Sequence, residues 1–591
     1  MTGKQKNIEA AAGPSLSGSA RPGLILGGIL LGAFILRTVG ANQVFSAVEM
    51  PVTSLLAGLR LTLAPWLGGD ALLENFFVQL VLFYRGVSAP LILYIDLSLL
   101  RLFGIRISEF LLVLPFILAG LLGVAAIYAL GKRFFGVRAG LLAALFMGLA
   151  SWHVANSRTP QSLVVVFLIQ VLVFLAVDKL IETRARRWAI GSALALALEV
   201  MSNNGFPFTL LVVAFFFVAR ARREGGDWKG RLGEVVRKSG FRYWAMIPIL
   251  AVLFQGVVFI LAMWRNELLG LLAWSNQHSR YFFDVGPSVI IHEAGSPLTQ
   301  RMFGSILNIG IGLNLLFALT CLVSLVLHIP RLWRFDTAGV LVFWYGVLGL
   351  PQIFFFYTYP EIAATNIAVP LCLLGAKLMS DLWERRRVLG IALVVLAAAD
   401  GLSGALYTNL FLPTPNWGLY IRAEAENAWG ASRGFRGIKS AAYFVRARMP
   451  KDDTVYVNLY GEASELYFDR QLCECGGRGK KALYRNAEDQ GNPGIDWFIE
   501  YNPWMDPLGR MTGGSDYGKW VGRTTRLNGG PGHLAAVGRD GETVLWKVFS
   551  RKPAETENLQ HGPLVSRFNR EYMSPDRFFT NRLGGMTFWM N

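Results

Sequence analysis

Residues 100–162 read LRLFGIRISEFLLVLPFILAGLLGVAAIYALGKRFFGVRAGLLAALFMGLASWHVANSRTPQS, and this stretch decides the architecture. From Phe110 to Leu130 no side chain is charged, and a helix of about 20 apolar residues matches the hydrocarbon thickness of a bilayer. A second apolar run, Ala139 to Val154, follows after Lys132, Arg133 and Arg138. Two apolar runs joined by a basic turn form an antiparallel pair of spans whose turn stays in the cytoplasm, because cationic loops resist translocation.

The same grammar extends in both directions. Further spans are predicted at Pro22 to Val39, Ser162 to Leu180, Trp188 to Met201, Phe206 to Val218, Tyr243 to Met263, Phe303 to Leu327, Val340 to Tyr357, Ile362 to Met379 and Val388 to Tyr407. Alternate connections carry the positive charge: Lys4, Lys6 and Arg21; Arg184, Arg186 and Arg187; Arg220 through Arg242; Arg331 with Arg334; and Arg385 to Arg387. The fold class expected is therefore a polytopic α-helical membrane protein with about 11 transmembrane helices and a cytoplasmic N-terminus. Pro90 to Phe103 is apolar but carries Asp96 and Arg101. Counting it as a span would export every later basic cluster, so it reads as an interfacial helix on the outer face.

That leaves a first external loop at 40–109, with amphipathic pieces at Ser46 to Leu67 and Leu73 to Tyr84, and a second at 265–301. Residues 1–21 read as a disordered cytoplasmic segment, 22–408 as the membrane domain, and 409–591 as an extracytoplasmic α/β domain. In this last part a helix is expected near Gly437 to Met449, a strand at Thr454 to Leu459 and a helical turn at Glu462 to Phe468. Strands are also expected at Trp497 to Tyr501, and at His533 to Val537 pairing with Thr543 to Phe549 across Gly538 to Gly541.

Composition agrees. Of 591 residues, 53% are hydrophobic and only 16% charged, too apolar for a soluble multidomain chain. The net charge of +17 is interleaved with apolar spans rather than gathered into a patch, which argues against nucleic acid as a partner. Residues 409–591 hold 24 Lys/Arg against 20 Asp/Glu, so most of the excess belongs to the short membrane loops. Cys321 and Cys372 sit in apolar spans as small hydrophobes. The Cys473-Glu474-Cys475 spacing suits a metal or a strained disulfide but lacks a second ligand pair, so no metal ligands are assigned.

The 100–162 stretch resembles the GT-C glycosyltransferase superfamily, in the branch of protein O-mannosyltransferases, aminoarabinose transferases and related bacterial polyprenyl-phosphate-sugar transferases. In that family a similar run links an interfacial helix to two spans, with a Gly-basic-basic turn inside and a Trp-His and Ser-Arg stretch at the outer face; here these are Gly131-Lys132-Arg133, Trp152-His153 and Ser157-Arg158. The resemblance implies a GT-C-like fold, inverting transfer of a sugar from a polyprenyl-phosphate donor to a lipid, glycan or protein acceptor, and a bacterial inner-membrane location. It also implies a carboxylate acting as general base or as ligand of a divalent metal ion.

Where the family places an Asp-Glu pair, this chain has Val48-Glu49, so Glu49 is the candidate catalytic residue, with Asp70 and Glu74 as the other acids of the loop. Where the family has His or Lys before Pro-Pro-Leu, this chain has Ser88-Ala89-Pro90-Leu91, and Arg85 stands three residues earlier. Arg85 and Arg158 are the candidate ligands of the lipid phosphate; Tyr84, Ser88, His278 and Arg280 are candidate substrate-binding residues.

Each has an ordinary reading beside it: a solvated carboxylate for Glu49, snorkelling for Arg85 and Arg158, an interface anchor for His153 and a wet helix face for Asp96. Asp400, near the middle of the last span, requires a partner on an adjacent span. Two alternatives to the enzyme follow: a degenerate homologue serving as an assembly subunit, with partners bound through the C-terminal domain, and a transporter. The transporter is disfavoured by the absence of an internal repeat.

Overall fold

The computed structural model of the chain describes residues 20–39, 88–160, 162–203, 206–223, 228–262, 313–349, 360–410 and 437–450, together with 453, 455–457, 467, 473–474, 497–501, 533–541, 543–550 and 552–579. The apolar runs form helices. These are α1 (Ala20–Thr38), α2 (Ser88–Leu102), α3 (Glu109–Phe135), α4 (Val137–Leu149), α5 (Ser151–Ser157), α6 (Leu163–Thr183), α7 (Arg186–Ser202) and α8 (Phe206–Arg223). After them come α9 (Trp228–Ser239), α10 (Met246–Ala262), α11 (Leu315–His328), α12 (Thr337–Trp344), α13 (Pro360–Arg385) and α14 (Arg387–Leu410).

Among the described residues, four segments are long and apolar enough to cross a membrane unaided: Glu109–Phe135, Leu163–Thr183, Leu315–Arg334 and Arg387–Leu406. Two more spans exist if each of two bent pairs counts as one: Val137–Leu149 with Ser151–Ser157, bent by 61°, and Leu232–Ser239 with Phe241–Val257, bent by 73°. The expected span Ala139 to Val154 is thus a broken one, interrupted where Ala150 adopts an extended conformation. Helix α2 has 15 residues. At 1.5 Å per residue it reaches about 22 Å, short of the roughly 30 Å core, so it does not cross.

The basic ends of the helices gather at one end of the bundle. Asp178 of α6, fully buried, is paired with both Arg133 of α3 and Arg220 of α8, while Arg133 also reaches Glu182. Arg138 of α4 meets Glu384 of α13 at 3.0 Å. A carboxylate flanked by two guanidinium groups offsets its own desolvation and fixes three helices in register. At the α3–α4 hairpin, Gly131 and Gly140 let the backbones touch: a Cβ on Gly140 would stand 2.7 Å from both Lys132 N and Tyr128 O.

The C-terminal part holds α15 (Ile438–Arg448), α16 (His561–Tyr572) and a six-stranded mixed sheet of order β2-β1-β3-β5-β4-β6. Its strands are β1 (Val455–Val457), β2 (Cys473–Glu474), β3 (Trp497–Tyr501), β4 (His533–Asp540), β5 (Thr543–Ser550) and β6 (Glu557–Gln560). The β4–β5 hairpin turns at Gly541, whose φ of +59° suits glycine. Trp546 of β5 lies opposite Gly538, is buried, and donates from Nε1 to Ser440 Oγ at 2.8 Å, seating α15 on the sheet.

Four details differ from the sequence expectations or extend them. Strand β6 and helix α16 were not anticipated. Asp96 is half-buried rather than on a wet face; its Oδ2 is buried without a hydrogen-bond partner, and burial pushes its carboxyl up to about 6. Asp400 finds its partner in a backbone group: Oδ2 accepts from Leu316 N at 2.9 Å, satisfying a donor in the first turn of α11. Cys473 lies in β2, opposite Tyr456 of β1, while Cys475 and most of the Glu462 to Phe468 turn lie outside the described residues.

Candidate functional site

The end of the bundle opposite the basic loops is where α1 ends, α3 begins and α5 ends. The break at Ala150 frees carbonyls of the last turn of α4, and in apolar surroundings each needs a donor. Arg37, near the end of α1, supplies one: Nη1 donates to Gly148 O at 3.1 Å and to Ala33 O at 2.9 Å. Asn314, just before α11, supplies another, donating to Leu149 O at 3.2 Å and accepting from Ser151 Oγ at 2.6 Å.

Arg37 is fully buried and holds two further groups of α5. Its Nε donates to Ser157 Oγ at 3.2 Å, and its Nη2 to His153 Nδ1 at 2.7 Å. A guanidinium only donates, so His153 Nδ1 is the acceptor and the imidazole carries its hydrogen on Nε2. That Nε2 is buried without a partner. The ring stands edge-on to Phe167 at 5.0 Å, against Gly123 of α3. Gly120, one turn earlier, makes room for Ser157.

Four of the five N–H donors of Arg37 are used, all on neutral acceptors, and among the described residues no carboxylate neutralises it. Arg158, at the C-cap of α5, adds a second positive charge close enough to repel that of Arg37. Two guanidinium groups near the end of α5, with no carboxylate on Arg37 among the described residues, make this region locally positive.

An apolar groove runs along α1, beside the carbonyls that Arg37 holds. Its lining includes Ile25, Gly28, Gly32 and Ala33 of α1, Leu145 and Gly148 of α4, and Leu402 of α14, with a volume of about 530 Å³. Gly28 and Gly32 have no atom within 4 Å of where a side chain would stand, so the groove owes its width to these glycines. Ala33 and Gly148, which line it, are the residues whose carbonyls Arg37 holds.

Of the candidate catalytic and binding residues, Arg158 and Ser88 are described. Arg158 joins this cluster, and Ser88 sits in the first turn of α2 with its Oγ buried and unpartnered. Glu49, Asp70, Glu74, Tyr84, Arg85, His278 and Arg280 lie outside the described residues. Arg37 and His153 went unrecognised. The signal for Arg37 was an arginine inside the first apolar run, and His153, read as an interface anchor, is fully buried on that arginine.

Residues 87–229 match the family described as dolichyl-phosphate-mannose-protein mannosyltransferase. Among curated proteins no sequence matches the chain. Among solved structures, the apo oligosaccharyltransferase of Archaeoglobus fulgidus superposes with a TM-score of 0.52 at 12% identity, over 88% of this chain and 72% of that one. The archaeal oligosaccharyltransferase AglB of the same organism, in complex with an inhibitory peptide and a dolichol-phosphate, gives 0.50 at 12% identity, over 81% and 69%. ArnT from Cupriavidus metallidurans, bound to undecaprenyl phosphate, gives 0.51 at 14% identity, over 90% of this chain and 98% of that one. The chain is a multi-pass membrane protein with the GT-C fold. Within that class, the family match falls on the segment from the start of α2 through α8, which contains Arg158 and His153.

Proposed function

We propose that this protein transfers a sugar from a polyprenyl-phosphate-linked donor to a lipid, glycan or protein acceptor at the outer face of a bacterial inner membrane. The observation that carries the reading is the apolar groove lined by Ala33 and Gly148, the two residues whose carbonyls the buried Arg37 holds, with Arg158 near Arg37. An isoprenoid chain needs an apolar channel open to lipid, and its phosphate needs fixed cations where water is scarce. In this reading Arg158 makes the direct phosphate contact, while Arg37 supplies charge, its one remaining N–H and the positioning of Ser157 and His153. The dolichol-phosphate and undecaprenyl phosphate bound in two of the similar solved structures are isoprenoid phosphates of the kind that carries the sugar in such a donor.

Glu49 is assigned as general base or metal-coordinating carboxylate, with Asp70 and Glu74 as the other acids of its loop. Arg85 is assigned to binding the phosphate, and Tyr84, Ser88, His278 and Arg280 to binding the sugar or the acceptor. The N-terminus lies in the cytoplasm, and residues 409–591 form the extracytoplasmic domain. Docking of that domain against the start of α3, away from the basic loops, supports this orientation.

A second reading, a GT-C homologue serving as an assembly subunit, is favoured by Val48 and Ser88 at positions where the resemblance expects Asp and His or Lys. One experiment separates the two. Full-length protein in nanodiscs is titrated with undecaprenyl phosphate and then supplied with polyprenyl-phosphate hexose and pentose donors. The enzyme binds the lipid and transfers sugar, and Glu49→Gln abolishes transfer while binding persists. Lipid binding without transfer from any donor supports the subunit; no binding of undecaprenyl phosphate removes the groove as a donor site.

A further inference from the structure

The basic end of the bundle carries a charged surface far from the arginine site. Helix α9 lies across the ends of α6 and α7 there: Val235 is buried against Leu180 and Ala189, and Trp188, Phe217, Phe241 and Trp244 pack around them. Gly240 ends α9 with a φ of +67°, in the left-handed region, and the helical residues Phe241–Val257 leave at an angle of 73° to it. With Val235 turned inward, Arg237 and Lys238 stand exposed on the outer side of α9.

Cations from three segments meet on this surface: Arg186 and Arg187 at the start of α7, Arg237 and Lys238 at the end of α9, and Arg242 in the turn to α10. Glu234 of α9 is the carboxylate among them, and it is bonded to Arg184 at 3.0 Å and Lys238 at 2.6 Å. Among the described residues Arg186, Arg187, Arg237 and Arg242 pair with no carboxylate. Three of them rest on aromatic rings instead: the Arg186 guanidinium lies 5.3 Å from the centre of the Trp244 ring, Arg187 5.9 Å from Trp188, and Arg242 4.6 Å from Tyr243, to whose hydroxyl it donates at 2.7 Å. A ring holds a guanidinium in place without neutralising it, so the charge stays available to an anion. Trp188 and Trp244 are also the rings that pack around Val235, which ties the three segments to one floor.

Beyond the cations the surface turns apolar. Met246, Ile249, Leu250, Leu253, Phe254 and Val257 are exposed and recur every three or four residues, which makes them one stripe along α10. From Arg242 to Val257 the helix runs about 22 Å, more than half of the roughly 30 Å hydrocarbon core. We propose that this surface binds a phospholipid of net negative charge, with its headgroup among Arg186, Arg237 and Arg242 and its acyl chains on the stripe of α10. The leaflet is the one at the basic end of the bundle, cytoplasmic in the orientation proposed above; the binding itself is independent of the donor groove. Tyr243 and Trp244 stand between charge and stripe, the level at which amphipathic rings meet a membrane interface. Clustered cations select an anionic headgroup over a zwitterionic one. A free phosphate or a soluble partner would satisfy the arginines but leave the stripe uncovered.

The test uses full-length protein in nanodiscs of phosphatidylcholine with a minor share of phosphatidylglycerol, and native mass spectrometry counts the lipids retained after transfer to detergent. Wild type should retain phosphatidylglycerol enriched about tenfold over its share in the disc, and the triple variant Arg186→Gln, Arg237→Gln, Arg242→Gln should lose the enrichment, since each cation at a membrane surface contributes roughly a factor of five. The variant Arg385→Gln, Arg386→Gln, Arg387→Gln removes the same charge from another exposed basic turn and should keep it. No enrichment in wild type overturns the proposal, and so does an equal loss in both triple variants, which would reduce the effect to general attraction by basic loops. Displacement of the lipid by an equal concentration of its chain-free headgroup, glycerophosphoglycerol, overturns it in favour of a soluble anion. Should the first triple variant not fold, Arg242→Gln alone, at an exposed position, decides by an enrichment lowered about fivefold or unchanged.

Discussion

Lys439 of α15 and Glu109 in the first turn of α3 form a buried ion pair that joins the C-terminal domain to the helical bundle. Both side chains are nearly inaccessible, at 4% and 2% exposure. Tyr467 donates to Glu109 Oε1 at 3.3 Å, and Lys439 also donates to Asn569 at 2.8 Å. Around this pair, Ile107 N bonds Met573 O at 3.2 Å and the Arg101 guanidinium lies 5.1 Å from the centre of the Phe579 ring.

Glu109→Gln leaves the ammonium of Lys439 buried without its counter-ion, which costs about 3–5 kcal/mol for a pair of this kind. The expected outcome is undocking: protease sites beyond residue 437 are cut several-fold faster than in wild type. The double variant Glu109→Gln, Lys439→Met recovers part of the loss, since neither charge then remains. An unchanged cleavage rate in Glu109→Gln would show that the apolar contacts alone hold the domain.

Gly140→Val tests the α3–α4 hairpin. A branched side chain there enters the backbone of Lys132 and Tyr128, which cannot yield as a flexible side chain does. Overpacking of this kind costs roughly 1–3 kcal/mol. A melting temperature in detergent lowered by several degrees is expected, whereas Gly28→Val in the open groove leaves it unchanged because nothing stands within 4 Å. Equal effects of the two variants would contradict this packing.

Asp96 makes a pH-dependent prediction. Burial raises its carboxyl from 3.8 to about 6, so the folded protein holds that proton more tightly than the unfolded chain. Its contribution is fully present below about pH 4 and is lost as pH rises through about 6. Asp96→Asn removes the titration. Melting temperatures of variant and wild type should draw together near pH 4, diverge in favour of the variant between pH 4 and 6, and run parallel above. A difference independent of pH would remove Asp96 as the cause.

Spans such as α3 were legible in the sequence because apolar length and basic turns are local properties. Phe110 to Leu130 announces α3, and Lys132 and Arg133 announce its end. The β4–β5 hairpin was legible from Gly538 to Gly541 for the same reason. The break at Ala150 was not, since Ala139 to Val154 is uniformly apolar and the interruption is sustained by Arg37 and Asn314, distant in the chain. Helix α16 carries Arg567 and Arg570 on one face and reveals its apolar face only through buried Leu564 and Phe568. Gln170, Glu199, Thr209 and Asn366 are single polar residues scattered through four apolar runs, and only the packed bundle brings them together.

Arg37 and Arg158 should separate when each is replaced. Arg37 holds the carbonyls of Ala33 and Gly148, the hydroxyl of Ser157 and the imidazole of His153, so Arg37→Met leaves buried acceptors bare. Each such orphan costs about 1–3 kcal/mol, and both stability and undecaprenyl phosphate binding should fall. Arg37→Lys keeps the charge but not the fork of donors, and should recover binding only in part. Arg158 sits at the C-cap of α5, where its backbone rather than its side chain closes the helix through Ala155 O. Arg158→Gln should therefore weaken lipid binding at least tenfold, with a change in melting temperature smaller than that of Arg37→Met. The measurements are isothermal titration with undecaprenyl phosphate and thermal unfolding in the same nanodiscs. If Arg158→Gln binds the lipid as wild type does, the phosphate does not rest on that guanidinium, and the groove beside α1 serves another purpose.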